Sequence, residues 1–400
     1  MLKLTILISV LIKLTVLNQP AFAENNQDFN NWLAVFKAEA LAANISEKTI
    51  EDTFKNASLL PRVIVLDRGQ PEFISPFLVY LDKRVTPNQV AIGRAKLEKH
   101  QLLFESIESK YGVPKNILIA FWGLETNYGV NKGHFDVASS LMTLAYEGRR
   151  ATFFRNQLLD AMRVIDAGHN SAADMRGSWA GAMGHLQFMP STLLKYGVDA
   201  DDDGRIDIWT SKSDAFASAA NYLSRVGWRY NEPIATEVKL PDNFDYALAR
   251  LNTRKSTLEW INLGVKDIRS KVIPTLENTA IVMPQGWQGP AFMIFSNFDV
   301  VMDWNRSVNY ALSVAYLANQ LDKDNPIIAR ENAQTQALSF NQMWALQGRL
   351  NELGYDCGPP DGFPGLKTQT AVGQYQASQF LPQDGYASFS LYQQLLLLTN

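Results

Sequence analysis

Glu125 lies in the run Ile119-Ala-Phe-Trp-Gly-Leu-Glu125-Thr-Asn-Tyr-Gly129, a single carboxylate among apolar residues near the end of a predicted helix. Pro114 suits the first helical position and Gly129 the cap that stops the helix. Leu118, Phe121, Leu124, Glu125 and Tyr128 recur at helical spacing, so Glu125 shares an inward-pointing face with Leu118 and Phe121. Lost hydration and the negative end of the helix dipole both disfavour an ionised carboxylate there. A carboxylic acid still protonated near neutral pH is what a general acid requires. A lone Glu on an apolar face is more often structural, paired with an Arg or with backbone amides, so the rest of the chain must decide.

A second candidate is the glycine-rich stretch Arg176-Gly-Ser178-Trp-Ala-Gly-Ala-Met-Gly-His185-Leu-Gln187-Phe-Met-Pro190. Small side chains from Gly177 to Gly184 let backbone approach a ligand closely, with Ser178 and Gln187 as polar groups and Trp179, Met183 and Phe188 as walls. Close packing between helices accounts for the same composition. A phosphate loop is disfavoured, because no Lys stands in the required place. The third candidate, Asp199-Ala-Asp201-Asp-Asp203-Gly204-Arg205-Ile206-Asp207-Ile-Trp-Thr210, matches a calcium-binding EF-hand loop at positions 1, 3, 5, 6 and 9. Asp199, Asp201, Asp203, Arg205 and Asp207 are the expected ligand positions, and the ion's role would be structural. Thr210 stands where the bidentate acid belongs, which lowers the expected affinity; Asp214 is the alternative ligand, outside the usual register. An Asp-rich turn that binds nothing is the alternative. His100, His134, His169 and His185 lack zinc-ligand spacing, and no nucleophile-elbow motif is present.

These groups sit in a chain that reads as exported. Lys3, the apolar run Leu4 to Leu17 and the A-x-A site Ala21-Phe22-Ala23 make residues 1–23 a signal peptide, cleaved after Ala23. The run is short and interrupted by Lys13, and no Cys follows it to carry a lipid, so no stable membrane anchor is expected; an uncleaved anchor is the competing reading. Cleavage removes Lys3 and Lys13 and no acids, leaving 35 basic against 40 acidic residues and a net charge of −5 in place of −3. That balance gives no support to nucleic-acid binding. Cys357, the single cysteine, rules out an intramolecular disulfide framework and reads as a buried apolar filler. With 46% hydrophobic residues among 400, stability must come from packing in two or three domains.

The predicted class is mainly α, with an α+β element. Helical texture runs from Asp28 to Ala167 and returns at Ser213 to Val226, behind the capping-box pattern Ser211-Lys-Ser-Asp214, and at Ser307 to Leu321. Residues 231–296 hold short apolar runs punctuated by Pro and Gly (Glu237 to Pro241, Ala280 to Pro284, Ala291 to Phe295), predicted strands of a small β-containing insertion. Residues 326–337 end a polar stretch and read as a linker. Residues 338–400 form a compact three-helix module whose halves weakly echo each other around the turn formers Asp361-Gly and Asp384-Gly.

Taken together, Trp122-Gly-Leu-Glu125-Thr-Asn-Tyr-Gly129, Gly177-Ser-Trp-Ala-Gly-Ala-Met-Gly184 with Gln187-Phe-Met-Pro190, and the Asp-rich loop resemble the lytic murein transglycosylase B family. So do Thr143-Leu-Ala-Tyr-Glu-Gly-Arg-Arg150, Asn221-Tyr222 before Gly227-Trp228, and Asn297-Phe298, Trp304-Asn305-Arg-Ser307 before Tyr310. The resemblance covers residues 28 to 325 in order, while the tail resembles the peptidoglycan-binding module often attached to such enzymes. It implies a lysozyme-like helical core with an N-terminal helical region within a catalytic region spanning 24–325. Glu125 would protonate the oxygen of the MurNAc–GlcNAc β-1,4 bond, then, as a carboxylate, take the proton from the C6 hydroxyl of MurNAc to leave a 1,6-anhydro end.

The resemblance carries Ser178, Gln187, Tyr80, Tyr222, Asn297, Trp304 and Asn305 over as substrate-binding positions. It implies peptidoglycan strands as substrate, cell-wall synthesis enzymes as partners, the periplasm of a Gram-negative bacterium as location, and no cofactor required for the chemistry. Most glycosidases need two carboxylates, and no second acid stands out near the glycine-rich motif. One rival is a muramidase hydrolysing the same bond, with Asp136 or Glu147 activating water. The other is a non-catalytic peptidoglycan-binding protein.

Overall fold

The structure, a computed structural model, describes residues 25–55, 57–68, 75–333 and 336–397; the expected signal peptide lies outside them. The chain opens with α1 (Asn25–Ala42), α2 (Glu47–Phe54), α3 (Pro61–Arg68), α4 (Phe77–Arg84), α5 (Pro87–Lys99) and α6 (Gln101–Tyr111). Then come α7 (Lys115–Thr126), β1 (Phe135–Asp136), α8 (Val137–Glu147), α9 (Ala151–Asp166), β2 (Arg176–Gly177), α10 (Pro190–Tyr196) and α11 (Lys212–Arg225). The insertion contributes β3 (Ala235–Lys239), α12 (Thr257–Asn262), β4 (Lys266–Asp267), β5 (Ala280–Val282) and β6 (Ala291–Ile294). The chain then returns through α13 (Ser296–Trp304) and α14 (Val308–Asp322), and ends with α15 (Phe340–Glu352), α16 (Leu366–Ser378) and α17 (Phe389–Leu397).

α7 is apolar around its circumference, every residue from Ile117 to Leu124 being buried, so it must sit inside other helices. α5, α6, α11 and α14 pack around it. Pro114 is the residue before the helix rather than its first position. The helix stops at Asn127, which adopts a left-handed conformation (φ 49°) and donates to Gly123 O, two residues earlier than the glycine expected to end it. Asn tolerates that conformation, because its short polar side chain bonds locally. Ser211 caps α11, its side chain accepting from Asp214 N as the motif predicts.

The predicted strands form an antiparallel sheet of order β4-β3-β6-β5, with β4 the strand not foreseen. Side chains alternate between two cores, as the strand period requires. Ala280, Val282, Phe292 and Ile294 join the main helical core. Ile281, Ala291, Met293 and Phe295 face a separate small core built on Trp260, Phe244 and Val265. The sheet is therefore buried on both faces and fixed to the helical body.

The predicted linker is a bonded strap. Glu237, buried on β3, accepts from Ile328 N and Ala329 N, and Arg269 pairs with the same carboxylate. Ile327 is buried, and Arg330 grips both carboxylate oxygens of Asp82 on α4. The tail forms the expected three helices around Leu346, Leu350, Ala371, Val372 and Leu391, with Cys357 buried among them. Its two halves repeat one device. The Gln347 amide donates to the Asp361 carboxylate and accepts from Gly362 N, while the Gln376 amide donates to the Asp384 carboxylate and accepts from Gly385 N.

Candidate active site

Glu125 is half-buried at the end of α7, on the face that also carries the fully buried Leu118 and Phe121. Its Oε1 accepts two hydrogen bonds, from the Trp304 indole at 2.9 Å and the Tyr310 hydroxyl at 2.5 Å. The donors come from the last residue of α13 and the first turn of α14, so one helix–helix junction orients the acid. Burial pushes the Tyr310 hydroxyl well above its ordinary value, and the charge of Glu125 pushes it further, which keeps Tyr310 a donor. Tyr80 and Arg84 on α4 also act on that hydroxyl, and the Arg84 guanidinium lies 5.3 Å from the Tyr80 ring centroid.

Trp304 is itself held by aromatic rings: Phe121 at 4.9 Å, Tyr222 at 5.1 Å and Phe188 at 5.3 Å between centroids. Tyr222, buried on α11, is pushed up to about 12 by burial, with Asp303 and Tyr196 contributing. Its ring therefore serves as a neutral wall. Glu125, Trp304, Tyr222 and Tyr80 are thus brought together as the residue pattern requires.

Ser178 and Gln187 hold backbone in place beside this centre. Ser178 Oγ accepts from Ala180 N and Ala182 N, closing the tight turn of the glycine-rich stretch. Gln187, in a left-handed conformation, donates from its amide to Lys132 O and Gly184 O, tying the loop after α7 to that stretch. The glycines serve close packing. A Cβ on Gly133 (φ +86°) would lie 2.0 Å from Gly177 O, and one on Gly184 (φ +70°) 2.4 Å from Ile208 O. His185 completes the brace: its Nδ1 accepts from the Trp122 indole and its carbonyl from Thr126. Burial pushes its imidazole down to about 4, helped by Lys132 and Lys212, so the ring is neutral.

Asn297 does not join the site. It is fully buried, and its amide accepts from Arg229 N and donates to Arg229 O and Glu232 O, supporting the turn into the insertion. Asn305 follows Trp304 as the residue that stops α13, half-buried. The two acids that a water-activating role would draw on, Asp136 and Glu147, are engaged elsewhere. Asp136 caps α8 and lies 3.7 Å from Arg176, while Glu147 pairs with Arg68.

The Asp-rich loop departs from its predicted ligand set. The carboxylates that converge are Asp199, Asp201 and Asp214, with oxygens within 4.8 Å of one another. The fully buried Asp214 also accepts from Ala200 N and Asp207 N. Asp203 accepts from Arg205 N, Asp207 from Trp209 N and Thr210 N, and Asp199 from Asp203 N and Gly204 N, so all three also serve the loop's own backbone. Burial raises Asp207, but the side-chain and backbone bonds from Thr210 outweigh it and hold the carboxyl below its usual range. Asp214, outside the EF-hand register, thus stands beside Asp199 and Asp201, while Thr210 donates to Asp207. Three converging carboxylates are an oxygen-donor set suited to calcium.

A family model described as a transglycosylase SLT domain matches residues 28–319. The chain belongs to that transglycosylase family. A second model, for a peptidoglycan binding domain, matches residues 341–395. Over 246 residues the chain is 29% identical to membrane-bound lytic murein transglycosylase B of Escherichia coli K12, covering 60% of this chain and 65% of that protein. The match thus spans a little under two thirds of the curated relative. The crystal structure of SltB3 from Pseudomonas aeruginosa in complex with NAG-NAM-pentapeptide is 39% identical, with a TM-score of 0.89 over 92% of this chain and 99% of that one. The Escherichia coli lytic transglycosylase Slt35 in complex with calcium is 25% identical, with a TM-score of 0.65 over 72% of this chain and 92% of that one.

Within this transglycosylase-family site, sequence reasoning missed the Tyr310 bond to Glu125 and the place of Arg84. Tyr310 was visible as a residue of the family pattern, with no role attached to its hydroxyl. A buried tyrosine hydroxyl needs a partner, and that requirement was the available signal. Arg84 carries none, because nothing in the α4 sequence reveals which side of the molecule the helix faces.

Proposed function

We propose that this protein is a lytic murein transglycosylase that cleaves the MurNAc-β-1,4-GlcNAc bond of peptidoglycan without water, leaving 1,6-anhydroMurNAc ends. The observation that carries this reading is the Glu125 carboxylate, with one oxygen held by Trp304 and Tyr310. Asp136 and Glu147, the acids a muramidase would draw on to activate water, are committed to Ser139 N and Arg176, and to Arg68. A hydrolase of either stereochemistry uses a second carboxylate to take up a nucleophilic or base role. A nucleophile within the sugar removes that need.

In the first half of the reaction, Glu125 gives its proton to the bridging oxygen as the C1–O bond breaks and the GlcNAc end leaves as an alcohol. In the second, the resulting carboxylate takes the C6 hydroxyl proton while O6 bonds to C1, and Glu125 returns to its protonated form. Trp304 and Tyr310 donate to Oε1 throughout and so stabilise the carboxylate between the halves. Tyr80 and Tyr222 are the proposed sugar-facing rings, while Ser178 and Gln187 act by fixing the loops beside them.

The Asp199, Asp201 and Asp214 carboxylates would hold a structural calcium remote from the chemistry; the reaction as written passes no step through it. The tail supplies a second hold on the glycan strand. The reading places the protein in the periplasm after loss of its leader; among the described residues no helix is long and apolar enough to cross a membrane. Glu125→Gln tests the assignment. The variant should bind sacculi as the wild type does and release no soluble fragments; a variant retaining substantial turnover would remove Glu125 from the role.

A further inference from the structure

The helix that carries Tyr80 and Arg84 lacks a side-chain cap of its own. α4 is eight residues long, too short to hold its shape unaided, and Pro76 before it has no side-chain oxygen to offer. The acceptor comes from the insertion instead: Gln285 Oε1 takes a hydrogen bond from Leu78 N at 2.9 Å, across 207 residues of sequence. That bond is buried and Gln285 is 1% exposed, so bulk water does not stand in for the acceptor. We propose that Gln285 is a positioning residue for the cleft, and that the tail shares the task by holding the turn on which Gln285 stands. The proposal rests on the lytic transglycosylase reading and deepens it, giving the tail a part in shaping the site.

The turn is held from the tail side. Asp384 Oδ2 accepts from Trp287 N at 2.9 Å, two residues beyond Gln285, while its Oδ1 accepts from the Gln376 amide and Tyr386 N within the tail. The Arg250 guanidinium, in the insertion, donates to the carbonyls of Asp384 and Gln383, both at 2.9 Å. Gly286, between Gln285 and Trp287, has φ +75°, and a Cβ there would lie 2.8 Å from Asp384 Oδ2. The tail therefore lies against the turn with no room for a side chain between them.

The other supports of α4 fix its place without supplying that acceptor. Asn309, next to Tyr310 on α14, donates to Ser75 O at 3.0 Å, and Phe77 meets Phe292 of β6 edge to face at 5.6 Å. Arg330 of the strap holds Asp82 in an exposed pair. Leu78 and Tyr80 share the first turn of α4, so a shift of that turn moves the Tyr80 ring. The Arg84 guanidinium, 5.3 Å from the ring centroid, goes with it. Both groups act on the Tyr310 hydroxyl that bonds Glu125. The links thus run from Asp384 through the turn at 285–287 and the first turn of α4 to Tyr80.

The test is steady-state kinetics on a soluble peptidoglycan tetrasaccharide. It uses the full-length wild type, Gln285→Met, Gln285→Glu, Asp384→Asn and Tyr80→Ala, at temperatures where each melting curve shows folded protein. Gln285→Met keeps the length of the side chain and removes the acceptor. It should raise KM about tenfold and leave kcat within about threefold, because Trp304 and Tyr310 still hold Glu125. Gln285→Glu, which keeps an acceptor oxygen, should recover most of that loss. Asp384→Asn should shift KM in the same direction by less, and should add nothing to Gln285→Met. In a Tyr80→Ala background Gln285→Met should change KM little, since the ring it positions is gone; a general loss of packing would persist there. An unchanged KM in Gln285→Met, or an undiminished effect without Tyr80, overturns the proposal. If Gln285→Met does not fold, Asp384→Asn measured with and without Tyr80 decides in the same way. Products are identified separately: reducing ends from the wild type would overturn the anhydro reading and leave the KM comparison intact.

Discussion

The Tyr310 hydroxyl sits 2.5 Å from Glu125 Oε1, across 185 residues of sequence. The acid and the group that orients it therefore belong to helices, α7 and α14, that pack together although α8 to α13 and the insertion lie between them in sequence. Tyr310 lies fully inside the protein at 4% exposure, so its phenol has no competing water and one dominant partner.

Removing that hydroxyl should separate orientation from folding. Removing one preorganised donor to charge that develops in the reaction costs on the order of 100-fold in kcat, so Tyr310→Phe should show a loss of that size at temperatures where its melting curve shows the protein folded. Trp304→Phe should act in the same direction. In the double variant the losses should fall short of additivity, because both donors serve one oxygen. Full activity in Tyr310→Phe would mean that the bond does not orient the acid.

Calcium should raise the melting temperature of the wild type and chelator should lower it. Asp201→Asn should abolish the shift. Asp214→Ala should destabilise the protein even in chelator, by about 1–3 kcal/mol, since Ala200 N and Asp207 N lose their acceptors. Thermal scans with and without calcium distinguish the two effects; a wild type indifferent to calcium would leave the cluster a purely internal brace.

His185 gives the stability a pH dependence of known sign. Its folded value is pushed down to about 4, below about 6.5 for the unfolded chain, so the unfolded chain takes up the proton first. The contribution is present above about pH 6.5 and is lost as the pH falls from there towards 4, on the order of 1–2 kcal/mol after allowance for partial solvation. Urea midpoints of the wild type should fall more steeply over that window than those of His185→Gln. Parallel curves would contradict the assignment.

The strap predicts a local effect. Glu237→Gln keeps the shape but removes the charge paired with Arg269, leaving a part-buried cation, which costs about 3–5 kcal/mol at a fully buried pair and less here. Limited proteolysis should then cut within residues 326–337 faster than in the wild type, while the helical body resists as before. Equal cutting rates would show that the strap does not depend on Glu237.

What the sequence made legible follows from periodicity. The apolar circumference of α7, the alternation in β5 and β6, and the stripe of Leu346 and Leu350 each reflect burial imposed along one segment, so a local window contains the whole signal. Glu125 was nameable from its own apolar helix face, and Trp304 and Tyr222 because a family pattern carried them. Asn297, drawn from the same pattern, proved to support a backbone turn. The pattern records that a residue is present and is silent on whether its side chain faces solvent or carbonyls. Asp214 was visible only as a ligand out of register, because it reaches the Asp-rich loop from the following helix. Its pairing with Asp199 and Asp201 exists only after α11 has packed. The polar composition of 326–337 suggested a free linker; Glu237 and Asp82, remote in sequence, make part of it a strap.

Mass spectrometry of the fragments released from purified sacculi in oxygen-18 water tests the central claim most directly. If Glu125 acts alone, as acid and then base, every new MurNAc end should be the 1,6-anhydro form, one water lighter than the reducing sugar and free of the label. Reducing ends carrying oxygen-18 would contradict it and would mean that a second group activates water opposite Glu125.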